Sequence, residues 1–134
     1  MKSLSQDDYK FTQQAVANWR RLQDIILNGE QYRLVSPYET NHAALDYVGQ
    51  DKSHAVVFAY DLHPRVMEPL RNVRLQGLDA SRRYTVTEIN LMPGKASSLT
   101  CNGQQYSGDY LMKVGLPILT ADQANSHVLE LIAE

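Results

Sequence analysis

The sequence predicts a mainly β protein: an antiparallel β-sandwich preceded by one long N-terminal α-helix. Three observations predict it. Apolar residues recur at helical spacing up to Ile26, and no later stretch repeats that pattern. The helix signal stops at Asn28-Gly29, and a strand-like run, Tyr32-Arg-Leu-Val-Ser, follows almost at once. From there on, short runs of β-branched and aromatic residues are separated by turn formers, as in antiparallel sandwiches.

The helix is expected over Gln6–Asn28. Ser5 is placed to accept a hydrogen bond from the first turn, and Asp7 and Asp8 suit the positive end of the helix dipole. Leu4 and Tyr9 hold the two positions of a hydrophobic staple. Phe11, Ala15, Trp19, Leu22 and Ile26 fall on one face, which Val16 and Ile25 widen. Gly29 reads as the stop, since glycine takes the left-handed conformation after a last turn.

The strands follow from composition and alternation. Pro37 should close the first, because proline cannot donate to a ladder. Ala44–Val48 and His54–Asp61 flank the turn-rich loop Gly49-Gln-Asp-Lys-Ser53 and read as a hairpin. In the second of these, Val56, Phe58 and Tyr60 lie on one side and Ala55, Val57 and Ala59 on the other. Apolar residues on both sides mark a central strand covered on each face. Pro64 and Pro69 bracket a connection to a strand at Val73–Leu75 that ends at Gly77. Tyr84–Asn90 is rich in β-formers, and Met92–Gly103 reads as a loop. Tyr110–Val114 and Val128–Ile132 complete the expected strands.

Bulk properties narrow the function. At 134 residues the chain can bury a core without staples, and 43% apolar with 21% charged residues is ordinary for a globular protein. A net charge of -2 gives no electrostatic grip on nucleic acid, and no basic run marks a membrane surface. One cysteine, Cys101, allows neither an internal disulfide nor a cysteine-based zinc site. Met1–Asp8 lacks the apolar core of a signal peptide, so a cytoplasmic location is expected.

No constellation in the sequence carries catalysis. His42, His54, His63 and His127 are far apart and are expected to be incidental surface or strand-edge residues. There is no Gly-x-Ser-x-Gly elbow and no glycine-rich phosphate loop. Cys101 lies in a loop beside Asn102-Gly103, where it reads as an ordinary thiol unless exposed. Glu88 alternates with Tyr84 and Val86 and is expected to point inward, holding an arginine or backbone groups. Alone it cannot support a hydrolase. Eight tyrosines raise the alternative of a carbohydrate-binding face, but Tyr47, Tyr60 and Tyr84 alternate as core residues do. No catalytic, cofactor-binding or metal-ligating residue is nominated, and no cofactor is expected.

Four segments in order resemble one known family. They are Gly29-Glu-Gln-Tyr-Arg-Leu-Val-Ser-Pro-Tyr-Glu; Ala55-Val-Val-Phe-Ala-Tyr; Leu75-Gln-Gly-Leu-Asp with Tyr84-Thr-Val-Thr-Glu-Ile-Asn; and Ser107-Gly-Asp-Tyr-Leu-Met-Lys-Val-Gly-Leu. They resemble the C-terminal region of family 36 glycoside hydrolases, the microbial α-galactosidases. The resemblance implies a division: residues 1–30 as the last helix of a (β/α)8 barrel, and residues 31–134 as the C-terminal β-sandwich packed on it. It also implies a retaining glycosidase as parent, whose two catalytic aspartates lie on barrel strands and match no position here. The chain is therefore expected to be inactive alone, an accessory domain that supports barrel packing and assembly. Its expected partners are that barrel, or a second copy of the chain through the Phe11/Trp19/Ile26 face. The alternative is a stand-alone carbohydrate-binding module.

Overall fold

The computed structural model describes residues 5–36, 41–62, 72–89, 91, 94, 96–119 and 125–134. Leu4, Pro37, His63, Pro64, Pro69, Asn90 and Met92, each given a role above, lie outside them. Helix α1 spans Gln6–Asn28, and the Ser5 hydroxyl accepts from the Asp8 N–H at 3.1 Å. Strands β1 (Glu30–Val35), β2 (His42–Val48), β3 (His54–Asp61), β4 (Arg83–Glu88) and β5 (Gln105–Ser107) follow. A short helix, α2 (Gly108–Lys113), and strand β6 (Asn125–Ala133) complete the order. The six strands form one antiparallel sheet in the order β1-β2-β3-β6-β4-β5. The fold is mainly β with one long leading helix, as the pattern predicts.

Strand β3 shows why the alternation was informative. Ala55, Val57 and Ala59 join the main core on the inner face of the sheet. Val56 and Phe58 join a second cluster under α1, with Leu22 and Ile25. Covered on both sides, β3 sits between β2 and β6. The inner face is roofed by residues outside the sheet, among them Val73, Leu75, Leu78, Leu99, Leu111, Leu116 and Ile118, all buried. Each large apolar side chain buried in this layer contributes roughly 1.5–3 kcal/mol.

Three local expectations change. Val73–Leu75 keeps its alternation, Val73 and Leu75 buried and Arg74 exposed, but forms a single bridge to Leu116 instead of a strand. The Leu75 N–H donates to Leu111 O at 2.9 Å, so its partner is the α2 turn. Tyr110–Val114 belongs to α2, not to a strand. The Ser107 hydroxyl caps the Tyr110 N–H at 3.1 Å, Lys113 pairs with Asp109 at 2.9 Å, and Gly115 (φ +86°) turns the chain out. Local capping outweighs β-propensity there.

Gly29 is needed for closeness, not handedness. Its φ and ψ, -81° and 175°, are extended, correcting the left-handed stop. A Cβ there would come within 2.4 Å of Ile25 O and 2.6 Å of Val48 O. Only glycine lets the end of α1 sit on the end of β2.

Candidate functional site

The inner face of the sheet carries a row of buried polar side chains at one end. His42 and Asp61 are register partners on β2 and β3, and Nδ1 meets Oδ1 at 2.7 Å. On β6, His127 pairs through Nδ1 with Glu88 of β4. Glu88 also accepts from the Ser97 hydroxyl at 2.7 Å, and its own N–H donates to Asn102 Oδ1 at 2.8 Å. His42, Asp61, His127 and Glu88 are all buried. This overturns the reading of the histidines as incidental surface residues: a strand's alternation turned two of them inward, where a carboxylate pairs with the Nδ1 of each. Glu88 points inward as expected, but holds a histidine and a serine instead of an arginine.

The outer face holds a second cluster. Glu130 of β6 is buried, and Arg21 of α1 and His54 of β3 both reach its Oε2, His54 at 2.5 Å. Arg21 also donates to Asn18 Oδ1 at 3.1 Å. The cluster fastens the helix to the sheet beside Leu22 and Ile25. Among the described residues, no group of three or more His, Cys, Asp or Glu side chains converges as metal ligands would.

These arrangements orient side chains without presenting them. Retaining glycoside hydrolysis needs two carboxyls about 5–5.5 Å apart across an open sugar site. Asp61, Glu88 and Glu130 are each buried and each engaged by histidine. Burial, with the nearby Glu88 charge, pushes the Cys101 thiol up, away from thiolate chemistry. Asp46, which the sequence did not single out, is buried on the inner face, and burial raises its pKa to about 7. Its signal was the inward period of β2, His42-x-Ala44-x-Asp46-x-Val48, hidden because the expected strand began at Ala44.

Tyr47, Tyr60 and Tyr84, the candidates for a sugar-binding face, do not form an exposed row. Tyr84 is fully buried, its hydroxyl tied to Lys52 O at 2.6 Å and to the Asp79 N–H at 3.0 Å. Tyr47 is half-buried, edge-on to Phe58 with ring centroids 5.9 Å apart. Tyr60 is exposed at 36%.

Among the described residues, α1 carries an exposed apolar surface. Leu22 and Ile25 are buried against the sheet, so Ile25, read as a margin of the stripe, is at its centre. Phe11, Ala15, Trp19 and Ile26 line an open apolar groove of roughly 150 Å³ against Phe58, Ile89 and Val128. Tyr9, Val16, Trp19 and Leu27 remain 58%, 45%, 50% and 63% exposed. Tyr9, Val16 and Leu27 lie about 120–140° round the helix from Leu22. The helix thus carries one seated apolar stripe and a second, sparser open one, in which Gln13, Arg20 and Gln23 stand between Tyr9, Val16 and Leu27.

Comparison with known proteins matches this architecture. The family model for the glycosyl hydrolase family 36 C-terminal domain matches residues 42–131. Probable alpha-galactosidase G of Aspergillus terreus is 30% identical over 126 residues, covering 94% of this chain and 15% of that protein. Alpha-galactosidase AgaA of Geobacillus stearothermophilus is 30% identical over 121 residues, covering 89% and 15%. The crystal structure of the GH36 alpha-galactosidase AgaB from the same organism superposes with a TM-score of 0.79 at 28% identity, over 98% of this chain and 16% of that one. The chain thus spans about 15% of the length of the curated relatives it matches. With its helix, its sheet order and the match over residues 42–131, the chain belongs to the glycosyl hydrolase family 36 C-terminal domain family.

Proposed function

We propose that this chain is the non-catalytic C-terminal accessory domain of an α-galactosidase, with residues 1–30 acting as the last helix of the catalytic barrel and residues 31–134 as the domain that buttresses it. The observation that carries this reading is the second apolar stripe of α1. A helix that served the sheet alone would have one apolar face; this one leaves Tyr9, Val16 and Leu27 uncovered on another. Among the described residues, the buried state of Asp46, Asp61, Glu88 and Glu130 supports a scaffold instead of a catalyst. The barrel is the partner we assign to the open stripe; a second copy of this chain is the competing occupant.

The test uses an aryl α-galactoside and the single tryptophan, Trp19. The purified chain should show no turnover above a no-protein blank. In a hybrid that carries this chain in place of the corresponding segment of AgaA, turnover should be present and Trp19 emission should shift to the blue. Turnover by the isolated chain, or a hybrid unaffected by Val16→Asp with Leu27→Asp, would sink the proposal. A free chain that dimerises and hides Trp19 by itself would assign the stripe to a second copy.

A further inference from the structure

Asp46 stands where three segments meet. On β2 it lies opposite Tyr32 of β1 and Val57 of β3. Above it runs the crossover through Leu75 and Leu78, both in the same core. The contacts that join these segments are few and specific. Gln76 N–H donates to Asp46 Oδ2 at 3.2 Å. The Tyr32 ring rests on Gly77, where a Cβ would meet Cε2 at 2.4 Å and where φ is +78°. The other carboxyl oxygen, Oδ1, is buried and has no hydrogen-bond partner among the described residues.

A carboxylate that is fully enclosed, met among the described residues only by backbone N–H groups and by no cation, is poorly solvated, whereas a neutral carboxyl tolerates the site. The groups facing Asp46 do not offset a charge. From β1 the Tyr32 phenol lies opposite and the Glu30 carboxyl two residues before it on the same side, β3 presents Val57, and the crossover presents a backbone N–H. Arg74 and Gln76 are exposed on that crossover, and Arg33 is exposed on β1. On β2 itself, His42 is engaged with Asp61, about 13 Å along the strand at 3.3 Å per residue. Burial is the main influence on its proton affinity, opposed by its hydrogen bonds to the backbone N–H groups of Gln76 and Asp46.

We propose that Asp46 is a proton-operated pin: its neutral carboxyl is tolerated beneath the Gln76–Leu78 crossover, and its ionisation, which encloses a charge with Oδ1 unpartnered among the described residues, loosens that crossover and with it the seat of the β1 Tyr32 ring on Gly77. Edge strand β1 follows α1 directly through Gly29, so the same event slackens the base of the helix. The site requires no ligand and is independent of what α1 docks on.

Amide hydrogen exchange on the intact chain tests this, with Asp46→Asn as the uncharged isostere measured alongside to cancel the intrinsic pH dependence. Opening of Glu30–Val35 and Gln76–Leu78 should rise by up to about tenfold per pH unit from pH 5 to pH 7 and level off above, because each unit withholds one more decade of proton occupancy. Asp46→Asn should abolish that rise, while β3 and β6 stay protected in both proteins. Parallel profiles in the two proteins would overturn the proposal. Should Asp46→Asn fail to fold, carbon-13 NMR of the wild-type carboxyl decides: a midpoint near 7 supports the pin, and one in the ordinary carboxylate range overturns it.

Discussion

Tyr84→Phe isolates a single oxygen that ties two distant turns. The Tyr84 ring is fully buried, and phenylalanine preserves it, so no large cavity opens. The hydroxyl donates to Lys52 O at 2.6 Å and accepts from the Asp79 N–H at 3.0 Å. One contact holds the β2–β3 hairpin turn, the other the turn that leads into β4. A net hydrogen bond contributes about 0.5–1.5 kcal/mol, and a half-buried N–H left without a partner costs toward the upper end. The expected loss is therefore about 2 kcal/mol. For a chain of this size each kcal/mol lowers the melting temperature by about 3–5 °C. Lys52 adds an internal control: its φ of 59° is left-handed, a strained conformation for a non-glycine residue. Lys52→Gly should relieve about 1 kcal/mol in the wild type. It should recover part of the Tyr84→Phe loss if the hydroxyl helps hold that turn. Urea denaturation at fixed pH measures both variants and the double mutant. A Tyr84→Phe loss below about 0.5 kcal/mol would refute the reasoning and make the hydroxyl contacts incidental.

Other perturbations follow from the same geometry. Gly29→Ala should destabilise the chain by about 2–4 kcal/mol through the clash with Ile25 O and Val48 O, and α1 should lose exchange protection before the sheet does. Glu88→Ala should cost about 3 kcal/mol or more, since it strands buried His127 and Ser97; a loss under about 1 kcal/mol in thermal unfolding would contradict the pairing. Cys101 should resist an aromatic disulfide reagent until the chain unfolds, because its thiol is buried and its pKa raised. Stability should also depend on pH through Asp46. Its folded pKa lies above the model value of 3.8, at about 7, so the native state holds the proton more tightly than the unfolded chain. Stability from this group is fully present below the unfolded pKa and is lost as pH rises through the folded one. The loss is about 4 kcal/mol at most, at ~1.36 kcal/mol per unit. Urea midpoints at pH 5 and pH 8 should diverge in the wild type and stay closer in Asp46→Asn.

The elements legible in the sequence were those whose pattern and environment coincide. Helix α1 could be read to the residue because Ser5 caps it and the strand begins right after Gly29. Strand β3 was legible because burial on both faces writes apolar residues at every position. The roof was not. Val73–Leu75 has the alternation of a strand, but its neighbours are a helical turn and a lone bridge, which periodicity does not encode. Tyr110–Val114 was misread because Tyr, Leu and Met suggested a strand, while the decisive residues were Ser107 at the cap and Gly115 at the exit. The polar row was hidden for a different reason. His42 meets Asp61 across 19 residues, and His127 meets Glu88 across 39. Pairs at such separation become visible only once strand register is known.

Register also explains why these buried pairs belong to the scaffold. A one-residue slip of β2 would turn His42 and Asp46 outward and bring Ala43, Leu45 and Tyr47 onto the inner face. Apolar packing would penalise that slip weakly, because Leu45 and Tyr47 are themselves half-buried on the opposite face. The His42–Asp61 contact penalises it strongly, since the slip would leave Asp61 buried without its histidine. The same holds for β6 against β4, where His127 and Glu88 fix the register on the inner face while Glu130, with Arg21 and His54, fixes it on the outer. Histidine–carboxylate pairs on the inner face, and the Arg21–Glu130–His54 cluster on the outer, favour one arrangement of the sheet. A rigid sheet of that kind gives α1 a fixed seat, and a fixed seat aims the open stripe of Tyr9, Val16 and Leu27 in one direction, which is what a buttress for a much larger partner requires.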